Sequence, residues 1–250
     1  MAFIKDTLVP SSTYNSLPHI SEVNHAPKDF ADDLNDLRAL LRDHDVPNGI
    51  SVRLIHKHFD VDHGEVMAFK QVPVPLQGEV VTMGPTMSKG QALHGIHFFV
   101  QDDGTFQAYE YTDDDVPDMS NYQNFLSQFG RTVLEKGLQR VFGLKFSTKE
   151  EKSWTEFEFP GKRSTVMIPE GMPVPDKVDY SFEVVTEWGK AEGDFRKRGC
   201  SHCSHLTTCS NHRRADDEKD FTANEFTLGG QKIDLMSPVF PIMNAVAAVW

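Results

Sequence analysis

Five short segments rich in β-forming residues follow one another between positions 52 and 112, with only short polar breaks between them. They cover residues 52–59, 65–72, 79–83, 94–100 and 106–112. The last two are separated by Gln101-Asp-Asp-Gly-Thr105, and an Asp-Gly pair between two such runs is typical of a β-hairpin. Because parallel strands need a longer crossover connection, the chain is predicted to form an antiparallel meander here.

Two main helices are predicted, over residues 27–42 and 120–142, because apolar side chains recur there at helical spacing. Ser120 and Gln123 fit a capping box at the start of the second helix. Further strands are predicted in the second half of the chain, over residues 144–147, 154–159, 165–168 and 180–188. Strand runs broken by two separated helices, without regular βαβ spacing, favour an α+β protein with antiparallel β-sheets.

The domain organisation follows from where this patterning begins. Residues 1–26 have no apolar period and are predicted to be an N-terminal arm laid over the surface. Residues 27–250 are predicted to form a single compact domain, with the proline-rich segment 160–177 as a candidate boundary. The apolar tail 239–250 is too short to span a membrane, which takes about 20 residues, so it should dock on the domain or form a homodimer contact.

Charge and composition narrow the function classes. Acidic residues outnumber basic ones by 37 to 25, so phosphate backbones should be repelled and no nucleic-acid partner is expected. The N-terminal residues include an acid and a proline where a signal peptide needs an apolar run, which favours a cytoplasmic protein with reduced cysteines. Phosphate-loop, dinucleotide and Gly-x-Ser-x-Gly motifs are absent, so nucleotide-driven chemistry is not indicated. The expected partner is a small-molecule substrate.

All three cysteines of the chain lie within ten residues, in Gly199-Cys-Ser-His-Cys-Ser-His-Leu-Thr-Thr-Cys-Ser-Asn-His212. A Cys-x2-Cys turn lets two thiolates converge on one cation, and a third thiolate with an imidazole completes the tetrahedral set that Zn²⁺ prefers. The sequence therefore predicts a zinc-stapled loop over residues 199–213. Its expected ligands are Cys200, Cys203, Cys209 and His212, with His205 as an alternative to His212.

This loop is compatible with two kinds of zinc site. Four protein ligands would make the metal structural, whereas three would leave a coordination position for water or substrate. If neither His212 nor His205 is a ligand, a histidine from the strands or a water molecule could complete the site. The sequence leaves both alternatives open.

A second group of histidines lies on the predicted strands. His56 and His58 are two residues apart, so on a strand they would project from the same face. His94 and His97 lie on a nearby strand. Paired imidazoles on an otherwise apolar face are candidates for acid–base catalysis or metal binding, although single buried histidines are more often ordinary core residues.

Two acidic residues accompany these histidines in the sequence. Glu65 and Glu79 begin adjacent predicted strands, and either carboxylate could orient or deprotonate an imidazole. Glutamate at a strand end is ordinarily solvated, which is the simpler interpretation of both. The candidate catalytic set is therefore His56, His58, Glu65, Glu79, His94 and His97.

Three features together carry a resemblance to a known family: Val52-Arg-Leu-Ile-His-Lys-His-Phe59, Gly95-Ile-His-Phe-Phe-Val100 and the C-terminal Cys/His cluster. In this layout the chain resembles the hemocyanin-like, zinc-containing cyclopenases of fungal quinolone alkaloid pathways. The paired helical histidine triads of a type-3 copper site are missing from the sequence, so the resemblance does not imply oxygen carriage.

The resemblance implies a ring-contracting lyase of secondary metabolism. Such an enzyme converts a cyclopenin-type epoxy-benzodiazepinedione to a viridicatin-type quinolone and releases methyl isocyanate. The reaction requires a base, a proton donor or Lewis acid, and an aromatic-lined pocket, but no redox cofactor. Two alternatives remain open, a zinc-dependent hydrolase and a non-enzymatic binding module stapled by zinc.

Overall fold

The computed structural model describes residues 4–90, 92–147, 154–174, 180–190, 205–210, 226–228 and 231–250. Over these residues the protein is α+β, with one large, mostly antiparallel, curled sheet and few helices. The predicted fold class is thereby confirmed, apart from the zinc-stapled loop, most of which lies outside the described residues. No helix in the described ranges is both long enough and apolar enough to cross a membrane.

Twelve of the described strands form the large sheet. They are β1 (Ile4–Lys5), β2 (Ile50–Leu54), β3 (Glu65–Val74), β4 (Gly78–Met87), β5 (His94–Val100), β6 (Phe106–Thr112), β7 (Phe142–Phe146), β8 (Trp154–Phe159), β9 (Ser164–Pro169), β10 (Tyr180–Val185), β11 (Glu187–Trp188) and β12 (His205–Ser210). Their spatial order is β10-β12-β8-β9-β4-β3-β6-β5-β7-β2-β11, and β1 pairs with β6. Two further strands, β13 (Phe226–Leu228) and β14 (Gln231–Ile233), pair with each other.

The predicted hairpin between β5 and β6 is confirmed, and Gly104 in its turn has a φ of 81°. The expectation of a simple meander was wrong, because β3 lies beside β6 in parallel and β5 pairs with β7. The two hairpins β3–β4 and β5–β6 therefore meet through their inner strands. Their outer strands pair with β9 and β7 instead, which extends the sheet in both directions and lets it curl.

The predicted strand over residues 52–59 ends at Leu54, which overturns the expectation that His56 and His58 project from a strand. Beyond Leu54 the backbone bonds to other partners. Ile55 N–H donates to the Val141 carbonyl, and Lys57 N–H donates to the Pro18 carbonyl. The chain leaves the sheet here, and the backbone of Lys57 instead forms hydrogen bonds with the N-terminal arm.

Six helices are described: α1 (Ser11–Asn15), α2 (Ile20–Val23), α3 (Ala26–Asp29), α4 (Ala31–Asp43), α5 (Gln123–Glu135) and α6 (Phe240–Ala247). The first predicted helix is divided at Phe30, whose backbone (φ −113°, ψ 33°) leaves helical geometry while its ring packs edge-on against Phe142. The N-terminal arm, predicted to lie over the surface, carries three short helices and buries Tyr14, Leu17 and Ile20 in the main core.

The second predicted helix is shorter than expected at both ends. A 3₁₀ turn occupies Ser120–Tyr122, and Ser120 donates to the Asp118 carboxylate instead of capping α5. At the other end Gly137 has a φ of 68°, a left-handed conformation that commonly terminates a helix. Phe142, the predicted end of the helix, instead begins β7 (Phe142–Phe146), which corresponds to the strand predicted over residues 144–147.

The C-terminal tail docks on its own sheet. Ile242, Met243 and Val246 of α6 are buried in a second core with side chains of β3, β8 and β9, and the Trp250 ring lies 5.0 Å from that of Phe159. A homodimer contact through this tail stays a prediction.

Candidate active site

A group of charged and polar side chains lies deep in the interior, where each exposes 4% of its surface or less. We refer to this group as the His/Glu cluster. It consists of Tyr14, Arg53, His56, His58, His97, Glu110, Glu156 and Glu158. Moving a polar group from water into the protein interior costs several kcal/mol of free energy unless the group is hydrogen-bonded there. Each buried donor or acceptor left without a partner costs about 1–3 kcal/mol, so the contacts among these side chains are essential to the cluster.

His56 and His58 are in direct contact at the centre of the cluster. Their Nε2 atoms lie 3.2 Å apart, and their rings meet edge to face with centroids 4.9 Å apart. His56 Nδ1 lies 2.8 Å from the Leu54 carbonyl, which can only accept, so Nδ1 carries the proton and Nε2 carries the lone pair. The lone pair of His56 thus faces both His58 and the guanidinium of Arg53.

Two glutamates of β8 hold His58 from the other side. The Glu158 carboxylate forms a short contact with His58 Nδ1, and Glu156 Oε1 lies 3.3 Å from His58 Nε2. Residues two apart on a strand share a face, so a single strand supplies both carboxylates. His58 therefore sits between two anions and one neutral imidazole.

Glu110 on β6 forms the second half of the cluster. Its Oε1 accepts a hydrogen bond from the Tyr14 hydroxyl at 3.3 Å, and its Oε2 contacts His97 Nδ1. His97 is at an irregularity of β5, where the register with β6 shifts on both sides of it. Bulges of this kind re-aim a side chain, which explains how His97 meets Glu110.

Arg53 supplies a permanent positive charge. Its guanidinium donates to Thr186 Oγ1 at 3.1 Å and lies 3.5 Å from His56 Nε2. Beside it, Glu187 accepts from Ser51 and from Lys145, so the ion pair of Lys145 and Glu187 continues the polar interior along β2 and β7. The neighbouring charge of Arg53 disfavours protonation of His56.

The surroundings push the pKa values of the two central histidines apart. Burial, together with the charges of Arg53 and His58, lowers the pKa of His56 well below its usual 6.5. Burial alone would also lower the pKa of His58, but the carboxylates of Glu156 and Glu158 raise it to about 9. At neutral pH the pair therefore consists of a neutral base, His56, beside a proton donor, His58. Opposed shifts of this kind are typical of acid–base sites.

Glu110 is also displaced from its usual titration range. Burial raises its pKa to about 7, against the opposing effect of Arg53 and His58. Burial and the neighbouring Glu110 raise the pKa of Tyr14 well above 10, so its phenol stays protonated and donates. A carboxyl group that titrates near neutrality is suited to proton transfer.

Three of the predicted catalytic residues are not brought into this cluster. Glu65 binds Arg163 through two contacts of 2.9 and 3.1 Å, and its pKa is lowered by that guanidinium. Glu79 is exposed near the β3–β4 turn, opposite Pro73. His94 is 45% exposed and lies 3.7 Å from Asp6.

The predicted metal ligands fall largely outside the described part of the chain. Cys200, Cys203 and His212 are among the residues not described, while His205 and Cys209 belong to β12, of which the backbone alone is described. Among the side chains that the structure does describe, no three or more His, Cys, Asp or Glu are arranged to hold a metal ion. The zinc site stays a prediction.

Five members of the cluster were missed by reasoning from sequence: Tyr14, Arg53, Glu110, Glu156 and Glu158. The alternation of acid and aromatic in Glu156-Phe-Glu-Phe159 is typical of a strand with one solvated face, yet here both faces are buried. Glu110 lies between two tyrosines in a strand buried along its whole length, and that apolar setting was the available signal.

A cavity of about 540 Å³ adjoins the cluster at His58. One wall consists of Asn15, Leu17, His19 and Glu22, and the other of residues 57–60. The side chain of His58 is nevertheless 0% exposed, so the cavity stops short of the imidazole.

Comparison with known proteins adds no relative to this description. No family model, no curated protein and no solved structure matches the chain. The candidate site therefore rests on its own geometry.

Proposed function

We propose that the protein is an acid–base enzyme that acts on a small organic molecule, and specifically a ring-contracting lyase that converts a cyclopenin-type epoxy-benzodiazepinedione to a viridicatin-type quinolone. The observation that carries the acid–base proposal is the contact of His56 Nε2 with His58 Nε2 at 3.2 Å, in surroundings that leave one imidazole neutral and the other charged. The substrate comes from the resemblance in sequence layout.

The proposed reaction is redox-neutral and its atoms balance. The epoxide C–O bond at the benzylic carbon opens, and that carbon forms a bond to the fused aromatic ring. The N-methyl carbamoyl unit leaves as methyl isocyanate when its bonds to the aromatic ring and to the adjacent ring carbon break. One proton moves from the benzylic carbon to the former epoxide oxygen. The reaction thus needs one acid and one base, which the His/Glu cluster contains.

Each central residue has a role that follows from its protonation state. His58, as imidazolium, donates a proton to the epoxide oxygen, and Glu156 and Glu158 keep it charged. His56 accepts the proton from carbon through Nε2, since its Nδ1 is committed to the Leu54 carbonyl. Proton transfer by a positioned side chain typically contributes about 10²- to 10⁴-fold to the rate.

We propose that zinc, if bound, is structural and held by Cys200, Cys203 and Cys209 with His212 or His205. Three thiolates and an imidazole are a donor set that suits Zn²⁺. A metal with four protein ligands stabilises the surrounding loop and leaves no position for substrate. Every proton transfer is therefore assigned to the His/Glu cluster.

The test is incubation of the purified protein with cyclopenin while viridicatin is measured. We expect turnover by the wild type and a loss of about 100-fold or more in kcat for His58→Gln, because the donor is removed. His25→Gln, whose imidazole is 61% exposed, is the matched control and should keep full activity. A folded His58→Gln variant with wild-type turnover would contradict the acid–base proposal, and inactivity of the wild type would contradict the choice of substrate.

A further inference from the structure

His56 and His58 lie in the connection between β2 and β3, so the ladder of the large sheet does not fix their backbone. Proton transfer nevertheless needs the two imidazoles to stay in contact, since a small displacement of a reacting group can cost a large factor in rate. We propose that His19 is a positioning residue for this pair: its Nε2–H holds the His58 carbonyl and so keeps the His58 imidazole between the two glutamates of β8. This role deepens the function proposed above and, for its effect on turnover, rests on it.

The N-terminal arm is anchored on both sides of His19. Leu17 and Ile20 are buried in the main core. The side-chain amide of Asn15 donates to the Val61 carbonyl at 3.0 Å and accepts from the Val61 N–H at 2.9 Å. A group that is bonded to this part of the arm therefore has a defined position relative to the core.

The arm holds the peptide units on both sides of the His58 Cα atom. Before that atom, the Lys57 carbonyl accepts from Ile20 N–H at 3.0 Å. After it, the His58 carbonyl lies 3.0 Å from His19 Nε2. Because a peptide unit is planar, two such bonds restrict φ and ψ of His58 and with them the direction of its Cβ atom. The hydrogen bond from His19 therefore acts on where the His58 imidazole lies.

Both ring nitrogens of His19 have partners, and these partners define its tautomer. Ser21 N–H lies 3.2 Å from Nδ1, and because a backbone N–H can only donate, Nδ1 carries the lone pair. Nε2 therefore carries the proton and donates to the His58 carbonyl, which can only accept. His19 is also the N-cap of α2, in a capping box with Glu22, whose carboxylate accepts from His19 N–H at 2.8 Å. One ring thus caps a helix through one nitrogen and holds His58 through the other.

The surroundings of His58 make its protonation a sensitive measure of its position. Glu158 contacts Nδ1 closely, and Glu156 Oε1 lies 3.3 Å from Nε2. Glu110 adds a further negative charge, and the neighbouring His56 is neutral. Burial lowers the pKa of His58, but these carboxylates raise it to about 9. A ring that turns away from the glutamates loses their effect and keeps that of burial, so its pKa should fall.

The tautomer of His19 can be measured in the wild-type protein by ¹⁵N NMR of the imidazole nitrogens. The signals of His19 are those that are missing from the spectrum of His19→Gln. We expect the neutral ring to carry its proton on Nε2 and its lone pair on Nδ1. A neutral His19 with its proton on Nδ1 could not donate to the His58 carbonyl and would overturn the inference without any need for a variant to fold.

Two substitutions of His19 separate its two bonds. Serine is among the preferred N-cap residues, so His19→Ser keeps an acceptor at the start of α2, but its side chain is too short to reach the His58 carbonyl. Glutamine is not among those residues, but its amide can donate near the position of Nε2. We expect the pKa of His58, followed by ¹⁵N NMR, to fall by about one unit or more in His19→Ser and to stay at about 9 in His19→Gln. His25→Gln, which removes an exposed imidazole, is the matched control.

Circular dichroism establishes that each variant is folded. An unchanged pKa of His58 in folded His19→Ser would overturn the role of His19. An equal fall in both variants would overturn it as well, because the effect would then belong to the cap of α2.

Turnover of cyclopenin measures the catalytic consequence. We expect His19→Ser to lower kcat by about 10-fold or more with KM within about twofold of wild type, and His19→Gln to keep kcat near that of wild type. Inactivity of the wild type would contradict the lyase alone, because the pKa of His58 is measured without substrate. Full turnover by a His19→Ser variant in which that pKa has fallen would contradict the acid–base function alone.

Discussion

The charge of His58 is decided by the carboxylates of Glu156 and Glu158, whose effect on its pKa is larger than the opposite effect of burial. In an apolar interior an imidazole is ordinarily neutral, as it is for His56 beside Arg53. At His58, the neighbouring Glu156 and Glu158 reverse the effect and raise the pKa to about 9. His56 is therefore neutral and His58 charged, because a cation lies beside the first and two carboxylates lie beside the second.

This arrangement makes the stability of the protein depend on pH. A group whose pKa is raised on folding stabilises fully below its unfolded pKa, and this contribution is lost as the pH rises through the folded value. For His58 that window runs from about pH 6.5 to 9, and for Glu110, with a folded pKa of about 7, the contribution is lost in the same direction. His56 acts oppositely, because its lowered pKa removes stability as the pH falls below about 6.5.

We therefore expect the free energy of unfolding, measured by urea denaturation, to be greatest near about pH 6 to 7 and to fall toward pH 9. The His58 contribution amounts to about 3 kcal/mol across its window, at about 1.4 kcal/mol per pKa unit. His58→Gln should flatten the fall above pH 7, with the exposed His25→Gln as control for loss of an imidazole. A wild-type stability that does not change between pH 6.5 and 9 would refute the assigned charge of His58.

At the scale of the strands, one glycine permits the close approach that brings the sheet around the cluster. β7 lies between β5 and β2, and a Cβ on Gly143 would come within 1.9 Å of the Phe98 carbonyl oxygen on β5. That oxygen belongs to backbone and cannot move aside as a flexible side chain could. Any larger residue must push β5 and β7 apart, and with them His97 and Lys145.

Gly143→Ala is accordingly expected to destabilise the protein by about 3 kcal/mol or more, at the upper end of the range for overpacking. The measurement is the midpoint of chemical denaturation. Gly161→Ala is the matched control, since nothing lies within 4 Å of a Cβ at that position, and it should change stability by less than about 0.5 kcal/mol. Equal effects of the two substitutions would count against the register of β7.

At the scale of the whole molecule, the predicted zinc loop and the His/Glu cluster belong to different parts of the chain. The cluster is assembled from α1, β2 and the residues just beyond it, β5, β6 and β8, whereas the Cys/His loop, residues 199–213, contains β12 in its sequence. β12 pairs in parallel with β8, which carries Glu156 and Glu158. A metal bound near β12 would therefore support the strand that holds the two carboxylates.

Removal of zinc should consequently affect stability before activity. We expect metal analysis to find about one zinc per chain, and a chelator to lower the thermal midpoint while the still-folded protein keeps its turnover below that temperature. Magnesium-saturated chelator is the control. Immediate loss of activity at an unchanged thermal midpoint would instead favour the metal-dependent hydrolase.

Sequence alone determined the fold class, most strand positions and the β5–β6 hairpin, and it selected His56, His58 and His97 as candidates. Those features depend on the spacing of apolar residues and on the residue types in turns, and both are properties of residues that are close together in the sequence. Only the tertiary structure decided that Glu156 and Glu158 face His58, and that Tyr14 reaches Glu110. Tyr14 and Glu110 are 96 positions apart in the sequence, and His58 and Glu158 are 100 positions apart. The order in which the strands pair brings them together, and no local pattern encodes that order.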